Sequence, residues 1–314
     1  MLIEKNNVYN VDALTGLKGL PDDCLDCCLY SPPYFSLRSY LNATDPNKVH
    51  ELGQEPKFSD YLDKLIEINK EIYRALKKTG TLFVNLGDTY FSTSKGTGGL
   101  NKKQVSNKGA YFEPIKLEKG QVKTKSLCNI PWRFAIRMTD ELGFIHRNSI
   151  IWHKGNAMPT SASDRFSVDY EPILFFTKSQ DYYFEQQLEP FSQHSNPNEI
   201  YTGQATKDYD EQGAQNPSDA KRRILESMRK RGGRNKRCVW KCNVKPSKYA
   251  HTATFSEELI TPLVKAGCPE NGMILDCFGG TGTVGVVAQK LNQNFLIFEL
   301  SEEFSKMARE RLKL

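Results

Sequence analysis

The chain has 314 residues, 39% of them hydrophobic, with 14 Tyr and 17 Phe, enough for one large core and a smaller appended module. No run approaches the ~20 apolar residues of a membrane span, and the opening Met1-Leu2-Ile3-Glu4-Lys5-Asn6 lacks the basic-then-apolar plan of a signal peptide. A soluble, cytoplasmic protein without a membrane partner is expected, and its net charge of +6 is unevenly spread.

Strands alternate with helical stretches, the pattern of an α/β sheet. Val8-Tyr9-Asn10-Val11 is predicted as a first short strand and Asp26 to Tyr30 as a second. The second must stop at Ser31-Pro32-Pro33-Tyr34, because proline cannot donate to a ladder. Apolar residues at helical spacing from Phe58 to Leu76 predict a helix closed by Gly80. Thr81 to Leu86 is a predicted strand, and Ser92 to Ser126, rich in Gly, Ser and Lys, a mobile loop. Pro131 opens a helix to about Leu142, with Gly143 after it. Asn148 to His153 and Pro172 to Thr177 are predicted strands. Composition then shifts: residues 180–250 are polar and then basic, an inserted module with some helix near Asp219 to Lys230. Regular structure resumes with a helix from Ser256 to Lys265, a strand from Met273 to Cys277, a Gly-rich turn and a helix from Val284 to Leu291. A strand from Phe295 to Glu299 and a last helix complete the chain.

Charge and cysteines narrow the chemistry. From Lys221 to Lys248 there are 12 Lys/Arg against one acid, Glu226; from Lys95 to Lys125 there are eight Lys against two acids. Such clustering predicts a phosphate-binding surface. Arg38, Lys102, Lys103, Arg229, Arg231 and Arg234 are its candidate contacts. Eight cysteines in an intracellular setting are expected to be reduced. Cys24 and Cys27 lead into a strand whose side chains alternate faces, and Cys238 and Cys242 have only His251 as a nearby extra ligand. No metal is expected.

Two motifs carry chemistry. Ile274-Leu275-Asp276-Cys277-Phe278-Gly279-Gly280-Thr281-Gly282-Thr283 is strand, tight turn and helix, in which glycines let the backbone pass close to a ligand. It lacks the lysine of a triphosphate loop. Glu299, one strand further on, is placed to accept hydrogen bonds from ribose hydroxyls, so a nucleoside cofactor is expected. The other motif is Ser31-Pro32-Pro33-Tyr34. An exocyclic amine on a base is a poor nucleophile because its lone pair is delocalised into the ring. Two acceptors on its N–H groups, here Ser31 Oγ and the Pro32 carbonyl, bias it towards a nucleophilic geometry. Proline stiffens the backbone and removes a competing donor, and Tyr34 offers a ring on which a turned-out base stacks.

These residues resemble the amino-methyltransferases of DNA. The likeness takes in Ser31-Pro-Pro-Tyr34, Gly80-Thr-Leu-Phe-Val-Asn-Leu-Gly-Asp88, Ile130-Pro-Trp-Arg-Phe134 and Ile150-Ile-Trp-His-Lys154. It continues through Asp164-Arg165, Tyr170-Glu171, Phe175-Phe-Thr-Lys178, His251-Thr-Ala-Thr-Phe255 and Asp276-x-Phe-x-Gly-x-Gly282. With the catalytic motif first and the cofactor motif last, the order resembles the permuted beta class. The resemblance implies a seven-stranded, mostly parallel, Rossmann-like sheet with helices on both faces. It also implies S-adenosylmethionine as cofactor, a methyl acceptor in double-stranded DNA, and a restriction endonuclease as functional counterpart, the chain being a monomer or homodimer. By the same resemblance Asp276, Phe278, Gly280 and Gly282 lie along the cofactor and Glu299 holds its ribose. Asp12 contacts the adenine amino group, while His251 and Phe255 pack around the methionine end. Residues 1–179 become a catalytic part, 180–250 a target-recognition region and 251–314 the cofactor-binding part.

Cys277, Gly279, Thr281 and Ser256 depart from common family residues, but none removes a polar group the chemistry needs. Ser31, rather than Asp, resembles the enzymes acting on N4 of cytosine, as do Tyr34 to Tyr40 and Glu51 to Glu55. A hydroxyl also donates, which suits a pyrimidine whose ring N3 acceptor lies beside the amine. N6 of adenine is the alternative. Competing classes are an inactive methyltransferase scaffold that binds DNA, and an RNA or protein methyltransferase.

Overall fold

The computed structural model describes residues 4–37, 39–42, 44–91, 122–191, 226–227, 230–244 and 255–314. In chain order the elements are β1 (Asn7–Asn10), α1 (Ala13–Lys18), β2 (Leu25–Tyr30), a 3-10 turn (Pro46–His50), α2 (Phe58–Ala75) and β3 (Leu76–Asn85). They continue with α3 (Ile130–Asp140), β4 (Ile145–His153), β5 (Tyr170–Thr177), β6 (Leu188–Glu189), β7 (Arg234–Asn235) and β8 (Val239–Lys241). The last are α4 (Glu257–Gly267), β9 (Met273–Asp276), α5 (Thr283–Lys290), β10 (Asn294–Glu299) and α6 (Glu302–Leu312).

Eight strands form one sheet in the order β1-β10-β9-β2-β3-β5-β4-β8. Pairing is parallel except where β5 meets β3 and β4. Period-2 alternation sends side chains into two cores. Cys28, Tyr30, Leu82, Val84, Leu296 and Phe298 join α2 and α3 on one face. Cys27, Leu29, Phe83, Phe295 and Ile297 join α4, α5 and α6 on the other. The helices on both faces are as expected; the strand count of seven is corrected to eight. The added strand is β8, which pairs Val239, Trp240 and Lys241 with Ile151, Trp152 and His153. Three residues inside a basic stretch are too few to display a period.

Two boundaries also move. The helix from Phe58 ends at Ala75, not at Gly80: Leu76 caps it in an extended conformation and starts β3 directly. The fully buried Leu76 ties the chain to the core at that point, so no glycine is needed to leave the helix. The short α1, which no sequence period announces, is capped by Asp12 accepting from Thr15 N at 3.0 Å.

The chain divides into two compact units, Met1–Glu185 with Cys238–Leu314, and Gln186–Arg237. The second is narrower than the compositional shift at 180–250, because residues on either side belong with the large sheet. Within it β6 and β7 pair antiparallel, and the Glu189 carboxylate sits 2.8 Å from Arg234 Nε and 2.7 Å from Arg237 Nε.

Candidate active site

The carboxyl ends of β1, β10, β9, β2 and β3 reach the same edge of the sheet, bringing Asn10, Glu299, Asp276, Tyr30 and Asn85 together. Lys154 follows β4 at this edge, and antiparallel β5 begins there with Tyr170 and Glu171. Open α/β sheets bind ligands at this edge. A cavity of about 420 Å³ lies there, within the large unit. Its wall includes Ser31, Pro32, Pro33 and Tyr34, 240 and more residues away in sequence from Asp276, Phe278, Gly280 and Glu299, which line it too. Asp12 and Phe255 complete the expected set on the wall.

Each part of the Pro-rich motif is held by its neighbours. The Tyr61 hydroxyl donates to the Pro33 carbonyl at 2.8 Å. No described residue donates to the Pro32 carbonyl, which leaves that oxygen as an acceptor. The Tyr34 hydroxyl donates to Glu171 Oε2 at 2.8 Å, and Ser31 Oγ lies 3.4 Å from it. Burial, with the Glu171 charge beside it, pushes the Tyr34 phenol far above its ordinary range, so it stays neutral. The ring lies against Gly87, where a Cβ would come 2.6 Å from Tyr34 Cδ2. Behind the motif Gly53 adopts φ +85, and a Cβ there would meet the Tyr34 carbonyl at 2.8 Å. The buried Glu51 accepts from the backbone of Tyr40 and Leu41 and from Ser39 Oγ, and pairs with Lys48 at 2.7 Å.

On the other side, Asp276 accepts from Phe278 N at 3.0 Å, and Glu299 accepts from Gly280 N and Ser301 N, both at 2.7 Å. Burial pushes Asp276 up to about 8, with Glu299 adding its charge, and pushes Glu299 up to about 7. Two desolvated carboxylates on one cavity wall favour a ligand that brings hydroxyl and cationic N–H donors. Gly279 is fixed by packing, since a Cβ there would overlap Ile297. Asp12 already spends one oxygen on Thr15 N.

Some expected residues are placed elsewhere. Gly282 does not line the cavity; at φ +77 it starts α5, and a Cβ would meet Ala308 at 3.1 Å. Arg231 and Arg234 belong to the small unit, where Arg234 is engaged with Glu189 and Arg231 Nε donates to the Ser227 carbonyl. Arg38, Lys102, Lys103, Arg229 and His251, most of the Lys-rich loop and most of the helix expected near Asp219 to Lys230 lie outside the described residues. Conversely, Asn85, Lys154 and Glu171 stand on the wall with no role foreseen for them. Their signal was membership of the stretches Gly80 to Asp88, Ile150 to Lys154 and Tyr170-Glu171, at or beside the ends of predicted strands. Asp88 serves the fold instead, its carboxylate accepting from Ile130 N at 3.1 Å and anchoring the start of α3. Among the described residues no group of three or more His, Cys, Asp or Glu converges as a metal site would, and no helix is long and apolar enough to cross a membrane.

A family model described as DNA methylase matches residues 25–310. The type II methyltransferase M.XycI of Xanthomonas campestris pv. cyanopsidis is 33% identical over 314 residues, covering 100% of this chain and 89% of that protein. Among solved structures, the PvuII DNA methyltransferase (cytosine-N4-specific) superposes with a TM-score of 0.61 at 16% identity, covering 97% of this chain and 85% of that one. The M1.HpyAVI–SAM complex superposes with a TM-score of 0.55 at 16% identity, covering 98% and 99%.

Proposed function

The chain belongs to the DNA methylase family, and on that premise we propose that it transfers a methyl group from S-adenosylmethionine to N4 of a cytosine turned out of double-stranded DNA. The observation that carries this reading is the single cavity shared by Ser31, Pro32 and Tyr34 on one wall and Asp276, Phe278 and Glu299 on the other. The fit to the cofactor rests on the two desolvated carboxylates: Glu299 takes ribose hydroxyls, Asp276 faces the methionine end, and Phe278 and Phe255 supply apolar cover. When bound, the cofactor supplies an electrophilic sulfonium methyl. The protein's own part is orientation and polarity. Ser31 Oγ and the Pro32 carbonyl accept from the two N–H groups of the target amine, drawing its lone pair out of the ring, and Tyr34 stacks on the extruded base. Asp12 is assigned to the adenine amino group.

Ser31 in place of a carboxylate supports cytosine over adenine. Residues 1–179 and 251–314 are assigned to catalysis and cofactor binding. Target recognition falls to 180–250, whose basic stretch, with Arg38, Lys102 and Lys103, supplies cations for DNA phosphates. The type II relatives support a place in a restriction–modification system, opposite an endonuclease of the same specificity. The test is to methylate DNA with the protein, digest it to nucleosides and identify the product by mass spectrometry. N4-methylcytosine is the expected product. N6-methyladenine alone would overturn the base assignment, and label entering only RNA or protein would overturn the substrate class.

A further inference from the structure

Glu171 and Lys154 line the cavity beside the Pro-rich motif. They meet because β4 and β5 are antiparallel, with Trp152 opposite Glu171 and His153 opposite Tyr170. Lys154 Nζ pairs with Glu171 Oε1 and lies 4.5 Å from the centre of the Trp152 ring. Glu171 Oε2 accepts from the Tyr34 hydroxyl at 2.8 Å, and Asn85 Nδ2 lies 3.3 Å from the same oxygen. On the far side of that hydroxyl, Ser31 Oγ is 3.4 Å away.

The direction of this chain follows from its end. A carboxylate paired with an ammonium group presents acceptors only. Tyr34 has one hydroxyl proton and two acceptors within reach, Glu171 Oε2 at 2.8 Å and Asn85 Oδ1 at 3.2 Å; the shorter, charged acceptor takes it, so its oxygen is left to accept. Ser31 is then the donor to Tyr34, its single proton is used, and its lone pairs are what the cavity meets. An isolated serine hydroxyl has no such preference. A target amine brings two N–H donors, so a hydroxyl turned the wrong way would repel it.

We propose that Glu171, paired with Lys154, is a positioning residue that sets the direction of the Ser31–Tyr34–Glu171 hydrogen-bond chain, so that Ser31 meets the substrate amine as an acceptor. This rests on the methyltransferase reading and deepens it. It also replaces the idea that Ser31 donates to the ring nitrogen of a pyrimidine, since that proton is engaged by Tyr34.

The test uses the full chain, unmethylated plasmid DNA and labelled S-adenosylmethionine. Glu171→Gln keeps the shape but replaces a charged acceptor by an amide that also donates, leaving Asn85 Oδ1 as a neutral acceptor, so the direction is weakened. The expected result is a kcat lower by about 10- to 100-fold, as for loss of one charge-assisted bond, with KM for DNA and Kd for the cofactor within about twofold. Cofactor titration of the variant also reports that it is folded. In a Tyr34→Phe background the link is already cut, so adding Glu171→Gln should cost no more than about twofold further. Wild-type kcat in Glu171→Gln, additive losses in the double variant, or a loss confined to cofactor Kd would each overturn the assignment. A wild-type protein that methylates no DNA would instead overturn the methyltransferase reading and this inference with it.

Discussion

At the level of single residues, burial has tuned the two cofactor-wall carboxylates. Asp276 and Glu299 have protonation constants of about 8 and about 7 in the folded chain, against about 4 in an unfolded one. The folded state therefore binds more protons than the unfolded state between about pH 4 and pH 8. The contribution of these two groups to stability is fully present below about pH 4 and is lost as pH rises through that window. Each tenfold separation of the two constants corresponds to about 1.4 kcal/mol. Urea denaturation of the ligand-free protein should give a higher midpoint at pH 5.5 than at pH 8.5, and Asp276→Asn with Glu299→Gln should flatten that difference. A slope of the opposite sign would mean the carboxylates are ionised and well solvated. Cofactor affinity should run the other way, rising from pH 6 to pH 8 as the acceptors ionise. Glu299→Ala should weaken it about 10- to 100-fold, the value of a charge-assisted bond. Tyr34→Ala should leave it nearly unchanged while activity falls. Calorimetric titration separates the two, and loss of cofactor binding in Tyr34→Ala would contradict this division of roles.

Among the elements, the Pro-rich motif is shaped by segments that are not adjacent to it. Gly87, just past β3, gives the Tyr34 ring its seat. Gly87→Ala has no room for its methyl group unless the ring moves. A drop in kcat of at least about 10-fold is expected, as for a misplaced reacting group, with cofactor Kd and far-UV circular dichroism unchanged. Full activity would mean the ring shifts freely. Glu51 does comparable work for the turn after the motif, gathering two backbone N–H groups, Ser39 and Lys48. Glu51→Ala leaves these donors buried without their acceptor and should lower stability by about 3–5 kcal/mol, read as a lowered denaturation midpoint; a shift below about 1 kcal/mol, the worth of an exposed pair, would show the turn to be solvated.

Across the molecule as a whole, the basic stretch is divided between the two compact units: up to Arg237 it belongs to the small one, and from Cys238 to the large one, where Lys241 lies in β8. If the cations of residues 221–248 neutralise phosphates, DNA affinity falls with salt at a logarithmic slope of roughly −0.9 per contact. Changing Arg229, Arg231 and Arg234 together should reduce that slope, while cofactor binding stays intact. Arg234 is engaged by Glu189, so its share should be the smallest of the three. A slope equal to the wild type's, measured by fluorescence anisotropy from about 50 to 300 mM salt, would place this stretch away from DNA.

The alternation of strands and helices, the stop of β2 at Ser31-Pro32-Pro33-Tyr34 and the turn after Asp276 are all legible in the order of residues. Each is written in local terms: hydrophobic period, proline's missing donor and glycine's conformational freedom. Part of the cavity wall is legible too, Ser31 to Tyr34 with Asp276, Phe278, Gly280 and Glu299, because motif residues at strand ends converge wherever those strands are parallel neighbours. The rest depends on pairing between distant segments, which folding alone brings about. β8 becomes a strand because Ile151 to His153 offer it an edge, not because Val239 to Lys241 carry a pattern. Gly282 stands off the cavity wall and packs against α6, where a Cβ would meet Ala308 at 3.1 Å. Glu171, Lys154 and Asn85 reach Tyr34 only through the register of β3, β4 and β5. Register is set by the packing of whole strands, and no short stretch of sequence contains it.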